Sequence, residues 1–212
     1  MREALEFILA LNYRNRCDFL YPHSGGYMDH VRLESLLSRR SCWTFEPFVL
    51  DKSMLEYILD HGLKCSPGIH KFLEDEKVDL HLWSNSISDI KQGMIKLKVP
   101  KLDFTNFTEG NYIREMENIL RKQIDPSNVA TTVMFVIRES EKNKITPQEL
   151  FNIFVEVGSF SQNLLLKCEH EQLSCYISHS IDRESFNTIF KNNQYGDDSL
   201  HVFSISIGKK GL

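Results

Sequence analysis

The chain has 212 residues, enough for one domain or one domain with an extension, and 42% of them are hydrophobic, enough for an ordinary core. A net charge of −4, with acids and bases interspersed and no basic stripe, excludes a nucleic-acid footprint. The 5 cysteines include no C-x-x-C pair, which excludes a zinc knuckle or redox dithiol and suits reduced thiols in a cytoplasmic protein.

Residues 2–15 carry Leu5, Ile8, Leu9 and Leu11 near one face and predict a helix. Acids inside that helix argue against a secretion signal, and no apolar run reaches the length of a membrane span. Pro22 and the pair Gly25-Gly26 break the pattern, so residues 1–30 are expected to form an N-terminal helix and extension, with 31–212 as the main domain. Residues 31–38 form a short helix bearing Leu33, Leu36 and Leu37, which runs out in Arg39-Arg40-Ser41. Asp51 caps the next helix, with Leu55, Ile58 and Leu59 inward and Gly62 at its C-terminal end. Lys64 to His70 reads as a turn-rich loop around Ser66-Pro67-Gly68. Val78 to Trp83 alternates as a strand does, and 93–110 holds a strand or two with loops. A helix is expected over 111–123, then a buried strand from Ala130 to Ile137.

The strongest local signal follows. Thr146 is a good N-cap, Pro147 suits the first helical position, and Glu149 completes a capping box. From Leu150 to Leu166 apolar residues cover nearly every face, so the helix over 147–168 belongs in a core or a subunit interface. Lys144 stands just ahead of this helix's positive end, where a lysine can act as a proton acceptor. Ser174 to Ser178 is a short strand, Asp182 caps a helix containing Phe186, Ile189 and Phe190, and Leu200 to Ile207 is the last strand, ending in Gly208-Lys209-Lys210. This order indicates α+β and not a regular βαβ alternation.

Arg39-Arg40-Ser41 and Gly208-Lys209-Lys210 leave element ends with the donors that suit a phosphate monoester. Ser66-Pro67-Gly68 is a tight turn where backbone can approach a flat ligand. The eight histidines show no metal spacing, so no metal site is expected; His179, at an element junction, is the better site candidate among them. Dinucleotide and P-loop fingerprints, a G-x-S-x-G elbow and an H-E-x-x-H motif are all missing from the sequence.

Together these pieces resemble the nitroreductase-like FMN proteins, and within them the SagB-type azoline dehydrogenases, from about Tyr13 to Lys210. The family's R-R-S-x-x-x-F opening is similar to Arg39 through Phe45, and its P-S-x-G loop to Ser66-Pro67-Gly68. Its E-x-G-x-x-x-Q-N-L helix is matched by Glu156 through Leu164, the most specific likeness. The resemblance implies a sheet, mixed or antiparallel, flanked by helices around a buried long helix, in an intertwined homodimer. It implies FMN as cofactor, held at the phosphate and ribityl end by Arg39, Arg40, Ser41, Lys209 and Lys210 and along the ring by Ser66, Gly68, His179 and Ser180.

By the same resemblance Lys144 falls on the lysine of the family's catalytic Lys-Tyr pair, with Ile145 in the tyrosine position. The implied reaction oxidises thiazolines or oxazolines of a ribosomally made precursor peptide, beside a cyclodehydratase and a peptide-binding partner protein. An NAD(P)H-dependent nitro or ene reductase is the runner-up. A flavin-free scaffold subunit is the third reading, favoured by Trp43 where a basic residue is common and by Ile145.

Overall fold

The computed structural model describes residues 40–211 except 100, 139–140, 142–143, 179–181 and 192–198. All of these lie within the compact unit Val31–Leu212. The expected helices over 2–15 and 31–38, and the proposed extension 1–30, lie outside the described residues.

The described elements are β1 (Phe45–Glu46), α1 (Lys52–Lys64), α2 (Pro67–Glu74), β2 (Asp79–Ser84), β3 (Gly93–Leu97), β4 (Phe107–Glu109), α3 (Ile113–Ile119), a 3-10 turn (Pro126–Asn128), β5 (Thr131–Ile137), α4 (Pro147–His170), β6 (Ser174–Ser178), α5 (Arg183–Lys191) and β7 (Leu200–Lys210). One seven-stranded sheet runs β1-β7-β5-β2-β3-β4, with β6 also on β7. Every strand pairing is antiparallel, which resolves the mixed-or-antiparallel expectation.

Both faces of the sheet are covered, so its strands read as apolar runs. In β5, Val133, Phe135 and Ile137 face one cluster while Met134 and Val136 face the other. The first cluster packs against α1 and α4 through Leu55, Ile58, Leu59, Ile153, Val157, Phe160 and Leu164. The second packs against α3 and α5 through Met116, Ile119, Phe186, Ile189 and Phe190. Gly62 lets α1 approach α4 closely: a Cβ there would stand 2.8 Å from the Phe160 ring. Phe160 in turn meets Phe135 edge-on at 5.1 Å.

Helix α4 starts as its sequence dictates. The Thr146 hydroxyl accepts from Glu149 N–H at 3.2 Å, and the Glu149 carboxylate accepts from Thr146 N–H at 3.0 Å. Lys77 of the α2–β2 connection pairs with the same carboxylate and holds it down to about 2. One segment departs from expectation. The loop read over Lys64 to His70 contains the start of α2, because Pro67 occupies the first helical turn, where its missing N–H costs nothing.

Two buried charges are fully compensated. Asp79 in β2 is 3% exposed and takes Lys96 at 2.6 Å and Arg138 at 3.1 Å. Lys167 of α4 is wholly buried, and its Nζ donates to Tyr57 Oη at 2.8 Å and pairs with Glu171 at 2.9 Å. Burial pulls that ammonium down, but the bonds to Tyr57 and Glu171 outweigh it and hold it above the usual lysine range.

His81, two residues along β2 from Asp79, lies edge-on to Phe190 at 4.9 Å. Burial, with the nearby Lys96 and Arg138 charges, pushes its imidazole down to about 3. The unfolded chain therefore binds a proton near pH 6.5 that the folded chain refuses, and stability falls as pH drops below that value. Between pH 6.5 and 5, urea unfolding of the wild type is expected to lose about 1.5 kcal/mol more than His81→Gln. Parallel curves would show that His81 takes up its proton in the folded state.

Candidate functional site

The turn between α1 and α2 is bolted onto α4 by side chains nearly a hundred residues away. Ser66, the N-cap residue of α2, is 1% exposed. Its hydroxyl accepts from Asn163 Nδ2 at 3.0 Å and donates to Ser159 Oγ at 3.3 Å. Asn163 Nδ2 also donates to the Cys65 carbonyl at 3.2 Å. A spacing of four residues sets Ser159 and Asn163 on one face of α4. Asn163 therefore acts as a strut, and Ser66 spends its hydroxyl inside the protein.

Gly68 is next in the turn. A Cβ there would lie 2.2 Å from the Glu156 carboxyl carbon, so this glycine leaves the space that Glu156 fills. Glu156 is one turn of α4 before Ser159, and the carboxylate stands at the first turn of α2, where the helix dipole favours an anion.

The adjoining face of α4 is bare. Phe151 is 62% exposed, Phe154 45% and Val155 51%. Gly158 continues the stripe, and a Cβ on it would meet nothing within 4 Å. Gln162, one turn further, is exposed as well. An apolar stripe ending in a mid-helix glycine with no neighbour among the described residues leaves a flat, open strip. The helix that sequence pattern made apolar all round is thus buried on one side only.

Lys144 stands outside this strip. Its side chain is 68% exposed and donates to Glu141 at 2.9 Å, while Ile145 packs against the core beneath α1 and α4. The positive end of α4 meets Thr146 and Glu149 first.

The cationic set gathers at a different place. Cys42 N–H donates to the Cys175 carbonyl at 2.9 Å, which lays Arg40-Ser41 along the start of β6. Strand β1 then pairs with β7, Phe45 against Lys210 and Glu46 against Lys209. Arg40, Ser41, Lys209 and Lys210 are all exposed near one end of the sheet. Lys209 is engaged by Glu46 at 3.1 Å, a cross-strand partner that sequence reading did not anticipate. Trp43, 59% exposed, leans on Tyr176 with ring centroids 4.9 Å apart. Arg39, His179 and Ser180 lie outside the described residues. Asp182 caps α5 as expected, accepting from Ser185 N–H at 2.9 Å, and that bond holds its carboxyl below the ordinary range.

Among the described residues the two sets lie at separate places. Ser66 and Gly68 sit beside Glu156–Asn163, whereas Arg40 and Ser41 sit beside β6, which follows the C-terminal end of α4. From Gly158 to His170 the helix climbs ~18 Å. Among the described residues, no His, Cys, Asp and Glu cluster fit for a metal appears, and no helix is long and apolar enough to cross a membrane.

No family model and no curated protein matches the chain. Solved structures do. A protein classed with the nitroreductases from Anabaena variabilis superposes with a TM-score of 0.69 at 12% identity, covering 84% of this chain and 38% of that one. The chain thus spans well under half the length of that relative. A second such protein, from Desulfovibrio desulfuricans and solved in complex with FMN, gives 0.58 at 11% identity, covering 88% of this chain and 89% of the other. The NADPH:FMN oxidoreductase from Vibrio harveyi, complexed with NAD+, gives 0.59 at 14% identity, covering 86% and 70%. The fold is that of the nitroreductases.

Because Gly158 costs helix stability and a Cβ there would meet nothing within 4 Å among the described residues, Gly158→Ala is expected to stabilise the dilute chain by about 0.5–1 kcal/mol in urea unfolding. Destabilisation at high dilution would show that the position is already packed within one chain.

Proposed function

We propose that this chain is an FMN-dependent oxidoreductase that works as a homodimer, and that its substrate is an azoline of a ribosomally made peptide. The observation that carries the reading is the open strip of α4, Phe151, Phe154, Val155, Gly158 and Gln162, beside the turn that holds Ser66 and Gly68, on the nitroreductase fold. The FMN complex of the Desulfovibrio protein and the NADPH:FMN oxidoreductase activity of the Vibrio enzyme support a flavin here.

The donor set fits such a group. A guanidinium, a hydroxyl and an exposed ammonium, from Arg40, Ser41 and Lys210, suit a phosphate monoester. Gly158, with open space above it, suits close approach of a flat ring. Since one chain holds these at separate places, a second copy laid across α4 would join the halves, covering Phe151, Phe154 and Val155 at the same time. Flavin, when bound, supplies the hydride acceptor. The chain's own task is to align the azoline and to accept the ring proton on Lys144, once its Nζ leaves Glu141. A cyclodehydratase and a peptide-binding protein are the partners this chemistry calls for, since the azoline must be made and delivered.

Lys144, exposed and tied to Glu141, also favours a second reading: an NAD(P)H-dependent nitro or ene reductase, which needs no base at that place. The two part on one assay. Purified protein is expected to show a flavin spectrum with about one FMN per chain, and Lys144→Ala to slow azoline oxidation by ~10²–10⁴-fold while FMN stays bound. An unchanged rate removes the lysine from the reaction. Azoline turnover absent alongside NAD(P)H-dependent reduction selects the reductase. A colourless chain that takes up no added FMN contradicts both readings and leaves a scaffold subunit.

A further inference from the structure

The turn between α1 and α2 holds a nucleophile and a base that the proposed reaction does not use. His61 lies in the last turn of α1 and Cys65 is its C-cap. Four residues apart, they share a face, and Cys65 Sγ stands 3.7 Å from His61 Nε2. Both are half-buried, so a small solute reaches them, whereas Cys42, Cys168 and Cys175 are buried; none of these four is in a disulfide.

The carbonyl end of α1 favours a cation, and His61 sits on it. With its Nε2 3.7 Å from the sulfur, the imidazole can take the thiol proton, and the thiolate that results is the reactive form of cysteine. The backbone that carries the sulfur is also well fixed. Cys65 N–H donates to the His61 carbonyl at 3.0 Å, and the Cys65 carbonyl accepts from Asn163 at 3.2 Å.

We propose that Cys65, with His61 as its proton partner, is a peroxide-reactive thiol whose product is a sulfenic acid. The thiolate sulfur attacks one oxygen of hydrogen peroxide. The S–O bond forms as the O–O bond breaks, and sulfur is oxidised by two electrons. The departing hydroxide takes the imidazolium proton and leaves as water. Hydrogen peroxide suits a half-buried sulfur better than a bulky disulfide does. The inference stands on this turn alone and does not require the flavin reading.

The test uses the full chain with Cys17→Ser, which removes the cysteine outside the described residues. It is treated with hydrogen peroxide at pH 7, the sulfenic acid is trapped with dimedone, and the adduct is located by peptide mass spectrometry. The adduct is expected on Cys65, with Cys42, Cys168 and Cys175 unlabelled, and Cys65→Ser abolishes it. His61→Gln is expected to slow adduct formation on the order of tenfold. A chain in which Cys65 reacts no faster than free cysteine overturns the proposal, and this readout needs no variant at His61. An unchanged rate in folded His61→Gln overturns the part given to the imidazole.

Discussion

One whole face of the described sheet, with α1 and α2, is arranged around the need to cover α4. Its apolar residues run round the whole cylinder, and water is a poor neighbour for any of them. The sheet takes Ile153, Val157, Phe160 and Leu164, and α1 and α2 take the adjoining flank through Ser159, Asn163 and Glu156. What remains is the stripe of Phe151, Phe154, Val155 and Gly158, which the described chain leaves in solvent. Covering each of the three side chains stabilises by roughly 1 kcal/mol or more. A glycine in mid-helix opposes folding of the single chain, and close approach by a second surface would offset that cost.

Polar groups at the site divide by the same logic. Those under α4 are spent on structure: Asn163 and Ser66 hold the turn, and Glu156 occupies the space of a missing Cβ. Those at the sheet edge remain exposed, with Arg40, Ser41 and Lys210 drawn to one end by the pairing of β1 with β7. Neither group alone makes a ligand site, and the second half of α4 runs between them. This division is what gives the proposed pairing of two copies its chemical meaning, beyond the burial of apolar area.

Much of this was legible in the sequence because it is local. The capping box at Thr146 and Glu149, the Asp51 and Asp182 caps and the apolar run of β5 are set by residues within a few positions of one another, and the structure reproduces them. Helix α2 was missed because Ser66-Pro67-Gly68 carries turn residues; the same proline also opens a helix, and only the spacing of Ile69, Phe72 and Leu73 tells the two apart. The Asn163–Ser66 strut, the Lys167–Tyr57 contact and the Glu46–Lys209 pair join residues about a hundred positions apart or more, and no periodicity reports such contacts. Asn163 was visible as part of a motif, but its task of holding the turn emerged only in three dimensions.

The central claim is that α4 joins two half-sites from two copies of the chain. Sedimentation velocity of the purified protein, followed at both the protein and the flavin absorbance, tests it most directly. Flavin is expected to travel only with a species of twice the mass of one chain. Stoichiometric flavin on a single-chain species would contradict the claim, because one chain would then hold the whole site.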